Sequence, residues 1–124
     1  IKLMVRKGIN PVGARILVLG LTFKENCPDL RNTRVVDIVR ALRDYSADVD
    51  VHDPWVDAAE ARSEYGIQLI SEPIECGYDA IVLAVGHDEF TRRKHAWIKE
   101  CAKESAVIYD VKGVLSPGDV DGRL

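Results

Sequence analysis

Two lysines stand just past runs of apolar residues. Lys24 follows Ile16-Leu17-Val18-Leu19, and Lys112 follows Val107-Ile108-Tyr109-Asp110-Val111. If both runs are parallel strands of one open sheet, ligands gather beyond their carboxyl ends. Two ammonium groups at that edge can converge on one phosphate. The residue types therefore hint at an anion site.

Other chemistries fit less well. A dinucleotide turn needs GxGxxG directly after the first strand, so that pyrophosphate can approach backbone and helix N-terminus. Here the stretch reads Gly20-Leu21-Thr22-Phe23-Lys24-Glu25-Asn26-Cys27-Pro28, with one glycine and bulky residues in place of the others. Asp53 ends the second apolar segment, where a ribose-binding acid can sit, but without the glycines it reads as a turn residue. A phosphoacceptor receiver domain would accommodate Lys112, yet the acidic residues it needs after its first and third strands are missing. Cys27 lies beside Lys24, and a nearby cation lowers a thiol pKa. Its only distant helpers are His87 and His95, so a loop cysteine without a chemical role is the default reading. No His, Cys and Asp set has metal-ligand spacing. We expect neither a catalytic residue nor a metal site within the chain.

The elements that must position the lysines alternate in pattern. Ala14 to Gly20 reads as a strand buried on both faces. Pro28 forbids an early helix, and Asn32 or Thr33 can cap the next one. That helix runs to about Tyr45, with Val35, Ile38, Val39 and Leu42 on one stripe. Asp48 to His52 is a short strand ended by the turn pair Asp53-Pro54. A helix from Asp57 to Tyr65 closes on Gly66. Ile67 to Ile70 reads as a weak third strand, and Ser71 to Cys76 as a helical turn. Asp79 to Val85 is the second strong strand. A helical stretch from Gly86-His87-Asp88 breaks near Lys94 and carries Trp97, Ile98 and Cys101 on its apolar face. Ala106 to Val111 is the last strand. The order predicts an α/β, doubly wound (Rossmann-like), five-stranded, mostly parallel sheet with helices on both faces.

Bulk properties exclude several classes. The chain has 124 residues, enough for one domain with a core. A net charge of -3 offers no general field for nucleic acid and no polybasic membrane patch. No apolar run approaches the roughly 18 residues of a membrane span. The N-terminus is too short and too charged for a signal peptide, and its first residue, Ile1, suggests a piece of a longer chain. Three widely spaced cysteines suggest reduced thiols in a cytoplasmic protein.

The stretch from Gly20 through Phe23-Lys24 and Asp29-Leu30-Arg31 to Thr33 resembles a signature of the UDP-glucose/GDP-mannose dehydrogenase family, where it opens the C-terminal, UDP-binding domain. Asp53-Pro54 and Asp110-Val111-Lys112-Gly113-Val114-Leu115 are also similar to the family. Lys24-Glu25-Asn26-Cys27-Pro28-Asp29 looks most like the bacterial branch acting on UDP-N-acetylhexosamines for surface polysaccharides.

The resemblance implies an enzyme that oxidises a sugar C6 alcohol to a carboxylate in two NAD-dependent steps. It places the nucleophilic cysteine, the NAD-binding domain and the central domain outside this chain, so the chain alone is expected to be inactive. Residues 1–13 then form the connection from the central domain, and 14–124 the UDP-sugar-binding domain. Phe23 and Lys24 match a family pair at the nucleotide-sugar site. Lys112 aligns with a region where members use a basic residue, although Gly113 stands where some have a second arginine. Asp29, Arg31, Asp53 and Pro54 are read as loop architecture. The implied partners are a UDP-sugar, the missing domains and, in the full enzyme, further copies of the same chain. Two other readings stay open: a non-catalytic oligomerisation module, and an autonomous nucleotide-binding regulator.

Overall fold

A computed structural model describes residues 1–31 and 33–123, apart from the side chains of 93–95. Five strands form one parallel sheet: β1 (Arg15–Leu19), β2 (Asp48–His52), β3 (Tyr78–Leu83), β4 (Ala102–Asp110) and β5 (Gly122–Arg123), in the order β2-β1-β3-β4-β5. The helices are α1 (Lys2–Arg6), α2 (Val35–Asp44), α3 (Ala58–Tyr65) and α4 (Asp88–Cys101).

Alternation along β1 sorts the core into two layers. Ile16 and Val18 face Val35, Val36 and Val39 of α2, Ala61 of α3 and Met4 of α1. Leu17 and Leu19 face Phe90, Ile98 and Cys101 of α4. β1 is buried on both faces because crossovers in opposite directions from the centre of the sheet put helices on opposite sides. Asp57 caps α3 by accepting from the Ala59 N–H at 2.8 Å, and Gly66 ends it at φ +66°.

Four expectations change. Ile67–Ile70 is not a strand: it makes a single bridge, Val51 to Leu69. The fifth strand is instead Gly122–Arg123, beside β4. Its two residues carry no periodicity, and Gly122 is needed because a Cβ there would lie 2.8 Å from the Tyr109 ring. Ser71–Cys76 forms bends and turns and no helical turn. α4 runs unbroken past Lys94, since no Pro or Gly interrupts Asp88–Cys101. Of the two candidate caps for α2, Asn32 lies outside the described residues. Thr33 Oγ1 accepts from the Val35 N–H at 3.2 Å and donates to the Leu21 carbonyl at 2.6 Å, tying the helix start to the end of β1. Among the described residues no helix is long and apolar enough to cross a membrane.

Candidate functional site

The strand ends are stitched together before any loop begins. Gly20 N–H donates to His52 O, Ala84 and Val85 N–H both donate to Leu19 O, and Val111 N–H donates to Leu83 O. Gly20 has φ +98°, and a Cβ on it would lie 2.5 Å from the Val85 Cβ. Only glycine lets the first loop leave the sheet pressed against the β3 end.

That loop, residues 21–31, is closed by its own backbone: Phe23 N–H donates to Asp29 O at 2.9 Å. Asp29 Oδ1 accepts from the Arg31 N–H and Nε–H, and Oδ2 from Nη2 at 3.2 Å. The hydrogen bonds from Arg31 hold the Asp29 carboxyl below its ordinary range, with a smaller contribution from Lys24. Arg31 is thus engaged with Asp29. The Lys24 ammonium makes no hydrogen bond or salt bridge to a described residue, and its side chain is exposed. Phe23 is also exposed, at 53%.

Beneath the loop lies a buried polar cluster. Asp53 Oδ2 accepts from the Leu21 N–H at 2.7 Å and pairs with His87 Nε2 at 2.9 Å, while Oδ1 accepts from the Trp55 N–H at 2.8 Å. The other imidazole nitrogen, Nδ1, accepts from the Asn26 N–H at 2.8 Å. A nitrogen that accepts holds no proton, so the proton sits on Nε2 and points at Asp53. Thr22 Oγ1 lies 3.2 Å from Nε2 and donates to the Lys24 carbonyl at 2.9 Å. Asn26, at φ +56°, accepts on its Oδ1 from the Asp88 N–H and so caps α4 from another loop. Asp53 and His87 are both fully enclosed, so neither is presented to a ligand.

Burial pushes the Asp53 carboxyl up, but the His87 bond and the Leu21 and Trp55 N–H groups outweigh it and hold the group below its ordinary value. A depressed folded-state pKa gives stability that is present above the unfolded pKa, about 3.9, and is lost as pH falls through the lower folded value. The melting temperature should therefore drop on acidification below about pH 4, and drop less steeply in Asp53→Asn. Parallel curves for the two proteins would show that Asp53 does not control the acid limb.

The second lysine loop has its own organiser. Asp110, fully buried, accepts from Gly113 N–H at 2.9 Å and Leu115 N–H at 2.8 Å. This turn holds Lys112 exposed, again without a hydrogen bond or ion pair to a described residue. Lys24 and Lys112 leave the same carboxyl edge of the sheet, from β1 and β4, strands separated by β3 and so by about 10 Å. Between them runs the β3–α4 connection. Gly86 faces Val114, with a would-be Cβ 3.0 Å from Cγ1, and His87 holds the first loop. Both lysine loops lean on one buttress.

Pro54 follows Asp53 in the turn after β2 and lines a cavity of about 460 Å³ with His52, Phe90, Arg92 and Trp97. Phe23, Lys24 and Lys112 do not line it, so this cavity is not the lysine edge. Cys27 is half-buried, and His87, its one describable candidate helper, is committed to Asp53 and Asn26. His95 lies outside the described side chains. Among the described residues no cluster of three His, Cys, Asp or Glu groups could hold a metal ion.

Sequence reasoning missed Asn26, His87 and Asp110 as organisers of this edge. A faint signal existed for each: an asparagine able to adopt positive φ, a histidine directly before a helix, and an aspartate closing a strand before Lys-Gly.

Comparison with known proteins agrees with this architecture. Residues 17–117 match the model of the UDP-glucose/GDP-mannose dehydrogenase family, UDP binding domain. The whole chain is 52% identical to a UDP-N-acetyl-D-glucosamine 6-dehydrogenase of Salmonella typhi and 50% identical to one of Pseudomonas aeruginosa, and spans 29% of each. Among solved structures, an NDP-N-acetyl-D-galactosaminuronic acid dehydrogenase from Methanosarcina mazei Go1 superposes with a TM-score of 0.79 at 30% identity. That match covers 95% of this chain and 24% of that one.

Proposed function

The chain belongs to the UDP-glucose/GDP-mannose dehydrogenase family, within its UDP-binding domain, and on that premise we propose that its carboxyl edge grips the diphosphate of a UDP-sugar. The supporting observation is the pair of exposed ammonium groups, Lys24 and Lys112, without a hydrogen bond or ion pair to any described residue, on loops that share one buttress. A compact ammonium on a flexible stem suits a doubly charged diphosphate. Phe23 adds exposed apolar surface beside Lys24. Asp29, Arg31, Asp53 and Pro54 serve the loops and do not touch ligand.

The intact protein is, in this reading, an NAD-dependent UDP-N-acetylhexosamine 6-dehydrogenase of the cytoplasm. It oxidises the C6 alcohol to a carboxylate in two steps, supplies a precursor of surface polysaccharide, and works as a homo-oligomer. The named relatives, at 52% and 50% identity, support the hexosamine assignment. NAD does not fit this chain in the usual dinucleotide manner. Leu21 and Thr22 are buried where the pyrophosphate would pass, and the first N–H of α2 is taken by Thr33. The cofactor and the oxidation are therefore assigned to parts outside residues 14–124, reached through 1–13. The contribution of this domain is remote binding energy that holds the sugar at the reacting groups.

Calorimetry on the intact protein with UDP and with uridine tests the reading. UDP should bind at least about 100-fold more tightly, since two charge-assisted contacts are each worth roughly 1.5–3 kcal/mol. Uridine binding as tightly as UDP would remove the diphosphate grip.

A further inference from the structure

The lysine edge works only if its loop is held, and the hold converges on one side chain. His87 is the sole residue among those described that hydrogen-bonds Asp53 at the end of β2, Thr22 at the start of the loop and Asn26 in its middle. Its ring is fixed by Trp55, stacked at 5.9 Å, and by Phe90, tilted at 5.6 Å. The segment between its two attachments on the loop, Thr22 and Asn26, carries Phe23 and Lys24 at its centre. Thr22 also fixes the Lys24 carbonyl directly.

We propose that His87 is a positioning residue for the nucleotide-sugar site, latching the Phe23–Lys24 loop to the start of α4 through Nδ1 while Nε2 stays anchored on Asp53. The proposal rests on the diphosphate reading of Lys24. His87 itself is enclosed and touches no ligand. Its two nitrogens do separate jobs, and two substitutions divide them. In His87→Asn the side-chain oxygen reaches the place of Nδ1 and can still accept from the Asn26 N–H, but Asp53 loses a donor. In His87→Gln the amide reaches the place of Nε2 and can still donate to Asp53, but the Asn26 N–H is released.

The test is UDP titration of the intact protein, with amide hydrogen exchange at Asn26, for wild type, Lys24→Glu, His87→Asn, His87→Gln and Thr22→Val. His87→Gln should fold, exchange the Asn26 amide faster and bind UDP about tenfold more weakly, the effect of a loop competent about one-tenth of the time. His87→Asn should melt earlier yet bind UDP within about threefold of wild type. Thr22→Val, which frees the Lys24 carbonyl without changing buried volume, should weaken UDP binding in the same direction. It decides the matter if His87→Gln does not fold. Wild-type UDP affinity in both His87→Gln and Thr22→Val, with Lys24→Glu impaired, would overturn the latch alone. Affinity tracking melting temperature across all variants would reduce His87 to a stability residue and also overturn it. A wild-type protein indifferent to UDP would remove the diphosphate reading, and the latch with it.

Discussion

Lys24→Glu raises the apparent KM of the intact enzyme for its nucleotide sugar about 100-fold and leaves kcat within about threefold. The size follows from losing a charge-assisted contact of roughly 1.5–3 kcal/mol and adding repulsion, with every 1.4 kcal/mol worth a factor of ten. The split follows from distance: a diphosphate bound equally in ground and transition states contributes uniform binding, which moves KM and not kcat. The fold should not notice. The Lys24 ammonium is exposed and makes no hydrogen bond or salt bridge to a described residue, so the melting temperature should stay within a few degrees. Steady-state kinetics beside a thermal melt separates the two effects. An unchanged KM in a folded protein would rule out Lys24 as a phosphate ligand.

Asp53→Ala does the reverse and costs about 3–5 kcal/mol of stability, since each buried donor left without its acceptor costs roughly 1–3 kcal/mol. Four donors lose their acceptor together: the Leu21, Thr22 and Trp55 N–H groups and His87 Nε2. Leu21 and His87 are fully buried, so their freed donors cannot turn to water. The lost anchor also releases the ring that holds the Asn26 N–H, so the lysine loop loosens with the core. Denaturant unfolding should show the midpoint fall with little change in slope. A loss under about 1 kcal/mol would mean that the cluster relaxes and rebonds without its carboxylate.

Much of this frame was legible because periodicity reports burial. Ile16–Leu19 and Ile81–Leu83 are apolar on both faces, as central parallel strands must be. The stripe Val35, Ile38, Val39 and Leu42 marks α2, and Gly66 ends α3 at positive φ. What periodicity could not show was anything fixed by contact across the sheet. Gly122–Arg123 is a strand only because β4 and a close approach to Tyr109 make it one. Ile67–Ile70 looked like a strand yet forms only an isolated bridge to β2, Val51 to Leu69.

The site divides the same way. Lys24 and Lys112 could be placed at strand ends from the chain alone, since side chains on loops after parallel strands face the ligand edge. The cluster beneath them could not. Thr22, Asn26, Asp53 and His87 come from three separate connections, and nothing local to any one of them predicts the other three. His87 in particular reads as an unattached histidine until the fold brings Asp53 and Asn26 to its two nitrogens.

The measurement that bears most directly on the account is a diffraction structure of the intact protein with UDP bound. The account predicts diphosphate oxygens within about 3 Å of Lys24 Nζ, Lys112 turned toward the same group, and Phe23 beside the nucleotide. A diphosphate seated elsewhere, with both ammonium groups left in solvent, would contradict it.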